Sequence, residues 1–447
     1  MRDLILLGAL LSVFPLILRA PQVGILAWIW VTLMNPQREV YGVLANFQLN
    51  LYIAVVTIFA WIASREKKFA PMNPVTAVLL VFGFWVSVTT YFALQRSFSF
   101  DLWERTMKTF VLLFAMIAIA NNKARIQAVV WMIVLSLGYI GVKGGGFVIL
   151  TGGRHHVFGP EKTMIADNND LGLALVMILP FMNYLRVTSQ ARWVRLCMAG
   201  AMGLTIIATI GTYSRGALVA LAACAVVYTV KSRSSIIPLV LGALVLVALP
   251  SLVPAQWFDR MSTIKSASAD ESFQERIQAW KTSINIAEGR PITGGGFSSI
   301  NLDWVAQRYH SPGSLDIGRA SHSMYMQVLS DHGFVGIAIY LMLLVAAWFN
   351  TSSIIKRTRD RPELDWANRL ARMTQVSIAG YVVGGAALSM AYYDGFLLVL
   401  SLTAALSAVV HRYSVGEEAA TAPRWKMMAD SVPEPRLSIG NARQNSA

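Results

Sequence analysis

Charged residues and cysteines are scarce in this sequence. Only 14% of its 447 residues are charged, whereas soluble globular domains carry roughly a quarter, so an ordinary soluble domain is excluded. The two cysteines, Cys197 and Cys224, both fall inside apolar segments, which leaves no disulfide between loops. The glycine-rich stretch 144–153 lacks the G-x-x-x-x-G-K-S/T pattern of a nucleotide-binding loop.

Long apolar runs are what the sequence has in abundance. Hydrophobic residues make up 55% of the chain, and runs of about 18 residues or more indicate membrane-spanning helices. The runs are continuous rather than alternating, which goes against a transmembrane β-barrel. The sequence therefore predicts an all-α polytopic membrane protein. Its apolar segments are 4–18, 23–34, 45–63, 74–93, 107–120, 125–142, 170–186, 196–211, 216–230, 235–253, 323–349, 373–391 and 395–410.

The charge of the connections predicts how the segments are oriented. Every second connection is basic, whereas the long stretch 254–321 has equal numbers of acidic and basic residues. Because basic loops stay in the cytoplasm, the long loop is expected outside. Segment 23–34 is too short to cross at 1.5 Å per residue, so we expect about twelve spans and both termini inside. If segments 4–18 and 23–34 both cross, the N-terminus lies outside. The net charge of +14 serves this topology and predicts no nucleic-acid partner.

These features divide the chain into four parts. Residues 1–253 hold transmembrane helices and a short outer connection at 143–169. The large outer loop spans 254–322, and the C-terminal transmembrane helices span 323–411. The polar residues 412–447 lack apolar periodicity, which predicts a disordered cytoplasmic tail.

The outer loop carries a predicted amphipathic helix. From about Glu271 to Ala287, apolar residues including Trp280 recur at spacings of three and four. Pro291 marks the end of this pattern. Arg276 lies one turn before Trp280. Taken alone, Arg276 is best explained as an ordinary solvated arginine.

Three more groups could carry chemistry on the outer side. Arg215, beside Ser214, lies where topology does not require positive charge, although snorkelling is a simpler explanation. His322, beside Ser321, lies where the loop returns to the membrane and could take a proton near neutral pH. A structural histidine is the simpler alternative there. Arg154 lies in the short outer connection. The outer loops contain no Asp-x-Asp pair, so no metal site is predicted.

The outer residues belong to three motifs that occur in a fixed order. These are Tyr213-Ser214-Arg215-Gly216-Ala217, then Arg276-x-x-x-Trp280 with Gly294-Gly295-Gly296, then His322-x10-Gly333. Over roughly 200–340 they resemble the O-antigen ligase and polymerase superfamily, the bacterial membrane enzymes of the Wzy/WaaL type. Tryptophan stands here where the family usually has leucine in the arginine motif. The N-terminal part, with Trp28 and Asn35-Pro36, is similar to a subgroup of O-glycosylation ligases linked to exosortase systems.

The resemblance implies a GT-C-like glycosyltransferase of the bacterial inner membrane, with the large loop in the periplasm. Such ligases transfer a glycan from undecaprenyl pyrophosphate to a hydroxyl of lipid A–core oligosaccharide, in contact with membrane lipids and without a cofactor or metal. Arg215 and Arg276 would hold the pyrophosphate, and His322 would act as the base of an inverting transfer. The expected substrate-binding residues are Arg154, Ser214, Trp280 and Ser321.

Other functions fit the same sequence. An O-antigen polymerase or a protein O-oligosaccharyltransferase would keep the site and change the acceptor. A lipid or glycan transporter is the non-enzyme alternative, but transporters usually place ionisable residues near the middle of the membrane. Here the polar residues collect at the outer ends of the segments, which favours an enzyme.

Overall fold

The computed structural model describes residues 2–40, 42, 44, 47–66, 69–232, 271–310 and 320–415. Their regular structure is helical, with no β-strand in these ranges. The predicted segment 235–253 and most of the tail 412–447 lie outside the described residues. The α-helices are α1 (Arg2–Arg19), α2 (Pro21–Met34), α3 (Leu49–Ala63), α4 (Pro74–Tyr91), α5 (Arg96–Ile119), α6 (Lys123–Thr151), α7 (Asn168–Thr188), α8 (Arg192–Gly211), α9 (Arg215–Ser232), α10 (Glu271–Gly289), α11 (Asp303–Tyr309), α12 (Met324–Arg357), α13 (Asp365–Gly384) and α14 (Asp394–Val415).

Six of these helices are long and apolar enough to cross a membrane: α4, α6, α7, α8, α12 and α14. The shorter helices α2 and α3 are also apolar. Within the six, 78% of the apolar window is buried in both α7 and α14, against 22% in α8. Helices α7 and α14 are therefore central in the bundle, and α8 is peripheral. This architecture is that of a helical, multi-pass membrane protein.

Local sequence determines where several helices begin and end. The side chains of Asn73, Asn122 and Asp167 accept hydrogen bonds from the first-turn amides of α4, α6 and α7, which satisfies donors that have no partner within the helix. Helix α6 ends at Gly152, whose φ of 61° is the left-handed conformation usual after a helix C-terminus.

The basic connections meet at one end of the bundle, here called the basic end. This is the arrangement that the alternation of loop charge predicts. The contacts that join these connections are Arg125 to Glu66, Arg412 to the carbonyl oxygen of Asn121, Arg372 to the carbonyl oxygen of Lys231, and Arg361 to the hydroxyl of Ser414. The connections 92–95, 152–167, 212–214 and 385–393, together with the loop residues that precede α12, belong to the opposite end.

Helices α1 and α2 form a hairpin. A Cβ added at Gly42, after α2, would lie 2.5 Å from the carboxylate of Asp3 at the start of α1. Nearby, Lys143 pairs with Glu39 at 2.5 Å. Lys143 lies about 30 Å along α6 from the basic end, at 1.5 Å per residue. The start of α1 is therefore at the opposite end, with Arg19 at the turn of the hairpin, as positive charge at the basic end requires.

Two boundaries expected from the sequence were wrong. The outer connection begins at Gly152 rather than at 143, because the glycines at 144–146 continue α6 to Thr151. Segment 373–391 is not one helix, since α13 ends at Gly384 and is followed by a short 3-10 helix, Gly385–Ala387, and irregular chain up to Asp394. Both errors have one cause, which is that apolar glycine-rich sequence does not reveal whether the backbone stays helical.

Candidate functional site

The loop turn at 291–296 is bonded to a break in α12. Gly333 has φ 69° and ψ −171°, so two helical segments meet there. A Cβ on Gly333 would lie 2.6 Å from the carbonyl oxygen of Pro291, and therefore only glycine permits this approach. The main-chain hydrogen bonds run from Gly295 to Ser330 (2.8 Å), from Gly296 to Asp331 (2.9 Å) and from Phe334 to Pro291 (2.8 Å).

A buried carboxyl group lies beneath this turn. The two oxygens of Asp331, which is fully buried, accept hydrogen bonds from the amide of Ser298 at 2.8 Å and from the hydroxyl of Tyr392 at 3.0 Å. Burial raises the pKa of the Tyr392 phenol well above its usual value, so the hydroxyl remains a protonated donor. Asp331 thus ties the loop and the chain before α14 to one point on α12.

His332, the next residue, joins α12 to α4. Its Nδ1 is 2.7 Å from the hydroxyl of Thr89, and that hydroxyl donates to the carbonyl oxygen of Val86. The ring tautomer decides which of the two donates, and in either case the contact joins α12 to α4. The indole N–H of Trp85 donates to the carbonyl oxygen of His332 at 3.2 Å. Sequence reasoning missed both Asp331 and His332, although two adjacent ionisable residues inside an apolar segment are themselves a signal.

Arg215 is presented by a tight turn between α8 and α9. Tyr213 has a φ of 57°, its hydroxyl donates to the carbonyl oxygen of Gly153, and its ring stacks on His156 at 4.5 Å. Ser214 is buried, and its hydroxyl accepts a hydrogen bond from the amide of Ala217 at 3.2 Å. Ser214 thereby caps α9. Its hydroxyl supports the turn that carries Arg215.

The position of Arg215 is not explained by helix stability. It is the half-buried first residue of α9. The macrodipole disfavours a cation at a helix N-terminus. Arg215 also lies at the end of the bundle where topology requires no positive charge. The guanidinium and the helix N-terminus both favour an anion at this point.

His322 lies on a strained segment just before α12. Its φ is 45°, an uncommon value for a residue other than glycine, and its side chain is half-buried. The serines on either side, Ser321 and Ser323, are buried. The hydroxyl of Ser321 is 3.2 Å from the hydroxyl of Ser389. Ser321 therefore anchors the segment, and the ring of His322 remains partly accessible.

The segment 384–389 brings the surroundings of Arg215 and His322 together. On one side, a Cβ at Gly216 would lie 3.9 Å from both the Cβ of Ala387 and the carbonyl oxygen of Gly384. On the other side, Ser389 contacts Ser321. The turn that carries Arg215 and the segment that carries His322 thus both pack against the segment 384–389, although Arg215 and His322 are about a hundred positions apart in the sequence.

Arg276 and Trp280 lie on α10, and both side chains are half-buried. The predicted helix is present. Ala287 of the predicted apolar stripe is buried, as are Ala279, Ser283 and Ile286 at neighbouring positions. The indole nitrogen of Trp280 is buried without a hydrogen-bond partner among the described residues. Arg276 is about 20 Å along the helix from Gly289, at 1.5 Å per residue. The described contacts fix the C-terminal end of α10 and do not join Arg276 to Arg215.

The remaining expected binding residue, Arg154, is exposed. It lies in the connection 152–167, which is held against the α8–α9 turn by a hydrogen bond of 2.9 Å from the amide of Val157 to the carbonyl oxygen of Gly211. Arg154 thus belongs to the same end of the bundle as Arg215. Over the described ranges, no group of three His, Cys, Asp or Glu residues could hold a metal ion.

This end of the bundle combines two kinds of chemistry. The guanidinium of Arg215 offers permanent positive charge and planar N–H donors, which suit phosphate oxygens. The imidazole of His322 can accept a proton in the physiological pH range. A phosphate-bearing substrate and a hydroxyl to be deprotonated are what such a pair would act on.

Comparison with known proteins divides the chain into two parts. Residues 1–190 match a family of unknown function, DUF5935. Residues 200–341 match the O-Antigen ligase family model, and this interval includes Arg215, Arg276 and His322. No curated protein matches the chain. The family points to membrane enzymes of the glycosyltransferase kind, with polyprenyl-linked glycan donors and lipid acceptors in general. Residues 200–341 are thus similar to the O-Antigen ligase family, a match over about a third of the chain that supports a relationship to the Wzy/WaaL superfamily.

Proposed function

We propose that this protein is an O-antigen ligase of the bacterial inner membrane. It transfers a glycan from undecaprenyl pyrophosphate to a hydroxyl of lipid A–core oligosaccharide at the periplasmic face. The observation that carries this proposal is the packing of the Arg215 turn and the His322 segment against one short segment, 384–389, at the end of the bundle away from the basic connections. Because basic connections stay in the cytoplasm, this end faces the periplasm.

The reaction needs a base and positive charge. His322 takes the proton of the acceptor hydroxyl, whose oxygen attacks the anomeric carbon. The bond from that carbon to the pyrophosphate oxygen breaks, and its electron pair leaves with undecaprenyl pyrophosphate. Arg215, joined by Arg276 when α10 lies over the donor, neutralises the charge that develops on the leaving group. Direct attack inverts the anomeric centre and forms no covalent bond to the enzyme.

Four residues complete the proposed site. Arg154 contacts the donor from the connection 152–167, and Trp280 packs against it from α10. Ser214 and Ser321 are buried and hold Arg215 and His322 in place. The proposed reaction needs no ATP, because the activated glycosidic bond is already present in the donor, and it is written without a metal or cofactor.

Transfer by the purified full-length protein in detergent tests the proposal. The assay supplies undecaprenyl-pyrophosphate-linked glycan together with lipid A–core. We expect product from the wild type and a loss of about 10²–10⁴-fold in His322→Ala, the usual contribution of a general base. His310→Ala is the matched control, because His310 is an exposed histidine of the same loop, and it should keep full activity.

The alternatives give different results in the same assay. Extension of a second lipid-linked glycan in place of lipid A–core would identify a polymerase. Transfer to serine or threonine hydroxyls of a protein would identify an O-oligosaccharyltransferase. If purified protein forms no product with any acceptor but moves the lipid-linked glycan across a vesicle membrane, the protein is a transporter and the proposal is wrong.

A further inference from the structure

A cavity of about 370 Å³ opens at the basic end of the bundle, away from the proposed catalytic site. Three parts of the chain form it: the residues before α4, the end of α5, and the last turns of α14. The residues that give it its chemical character are Phe69, Met72, Asn73, Asn121, His411 and Arg412. Its volume is in the range of pockets that hold small molecules.

The polar side of the cavity is positively charged. The guanidinium of Arg412 donates to the backbone carbonyl oxygen of Asn121, a contact that leaves its charge uncompensated. Glu66, an acid of the neighbouring connection, is paired with Arg125 at 2.5 Å. Among the described ion pairs, none includes Arg412. His411 beside it is exposed, so the cavity offers donors to an anion.

The other side of the cavity is apolar and open. Phe69 is 88% exposed and Met72 is 69% exposed, so both present apolar surface beside Arg412. The floor is closed by buried residues of α5, including Ile117. A ligand that satisfies both sides must carry a negative charge and an apolar body.

The depth of the cavity matches the surface of a bilayer. It lies where α4 begins at Pro74 and where α14 ends, and both helices are candidate membrane spans. Phospholipid headgroups lie at the level where spans leave the hydrocarbon. Basic pockets between helices on the cytoplasmic side attract anionic headgroups, with about 1 kcal/mol for each cation near the surface.

We propose that this cavity binds the phosphate headgroup of an anionic phospholipid from the cytoplasmic leaflet. Arg412 and His411 donate to the phosphate oxygens, while Phe69 and Met72 pack against the glycerol and the first methylenes of the acyl chains. The lipid holds the ends of α4, α5 and α14 together at the end opposite the catalytic site. This site is independent of the proposed reaction, because it shares no residue with it.

Lipid retention by the full-length protein tests the proposal. The protein is equilibrated with vesicles of phosphatidylglycerol or phosphatidylcholine and purified. Bound lipid is then detected by native mass spectrometry. We expect retained phosphatidylglycerol and little phosphatidylcholine. Arg412→Gln should weaken retention about fivefold, the effect of one cation worth roughly 1 kcal/mol. Arg357→Gln is the matched control, because it removes an exposed charge from the last turn of α12 at the same end.

A second variant protects the test against a folding defect, since Arg412 also contacts the chain. Ala408 also lines the cavity. Ala408→Phe should fill the cavity without removing the guanidinium of Arg412, and it should therefore abolish retention. Equal loss in Arg412→Gln and Arg357→Gln would show nonspecific attraction to the basic end and overturn the proposal. Unchanged retention in Ala408→Phe would overturn it as well. Competition by soluble glycerol 3-phosphate at equal concentration would identify a water-soluble ligand and refute a lipid site.

Discussion

The amide of Gly296 donates to the carbonyl oxygen of Asp331 at 2.9 Å, so the outer loop and the broken helix α12 are joined main chain to main chain. The side chain of Asp331 reinforces this joint by accepting from the amide of Ser298. The loop is therefore fixed to the bundle at this joint, as it is to the α4–α5 connection by the hydrogen bond from the amide of Leu94 to the carbonyl oxygen of Gly295. Helix α10, which carries Arg276, ends at Gly289, close to this joint. Changes at the joint are expected to displace Arg276 without touching it.

Replacement of Gly333 by alanine tests this joint. The added Cβ would lie 2.6 Å from the carbonyl oxygen of Pro291, and the backbone conformation at Gly333 costs a residue other than glycine about 1–3 kcal/mol. We expect a lower thermal midpoint in detergent and a larger loss of glycan transfer than of stability. Gly146→Ala is the control, because a Cβ there meets nothing within 4 Å. Wild-type stability of the Gly333→Ala protein would show that the close approach of Gly333 and Pro291 is not required for stability.

The two adjacent tyrosines before α14 make a matched pair. The hydroxyl of Tyr392 donates to Asp331, whereas the buried hydroxyl of Tyr393 has no partner among the described residues. Tyr392→Phe leaves a buried carboxyl group short of a hydrogen-bond partner and should lower the free energy of unfolding by about 1–3 kcal/mol. Tyr393→Phe should be neutral or slightly stabilising. Thermal unfolding of both variants provides the measurement, and equal effects would refute the role assigned to Asp331.

The sequence predicted the elements better than it predicted their contacts. Apolar periodicity found α10 and the central spans, and loop charge predicted that the basic connections would meet. The sequence could not show that Gly333 breaks α12, since only the approach of Pro291 explains that glycine. The segment 384–389 was predicted as part of the apolar segment 373–391, because its residues are apolar or small. Its role depends on contacts with Gly216 and Ser321, and hydropathy carries no information about such distant partners.

The N-terminal hairpin leads to a prediction of topology. Asp3 lies beside Gly42 at the end opposite the basic connections, so the N-terminus should be outside. A single cysteine placed at Asp3, in a protein without Cys197 and Cys224, should react with a membrane-impermeant maleimide in whole spheroplasts. A cysteine at Asn122, in the connection before α6, should react only after lysis. The opposite result at Asp3 would restore the expectation that both termini are inside.

Ser214, in the motif from Tyr213 to Ala217, provides a test of whether a motif residue binds substrate or stabilises the fold. Its hydroxyl accepts from the amide of Ala217, as the cap of α9. Replacement of such a cap by alanine costs about 0.5–2 kcal/mol, whereas glycine costs only a few tenths. We therefore expect Ser214→Ala to lower the thermal midpoint more than Ser214→Gly, with glycan transfer following the same order.

The comparison works because both variants lack the hydroxyl. If Ser214 bound the donor directly, the alanine and glycine proteins would lose transfer equally, whatever their stabilities. Arg215→Lys supplies the contrast, since lysine keeps the charge but loses the planar set of donors. It should leave the thermal midpoint unchanged and lower transfer by about 10²-fold or more, as expected for a group that stabilises the leaving pyrophosphate. If Arg215→Lys lowered the thermal midpoint and glycan transfer together, the role of Arg215 would be to stabilise the fold.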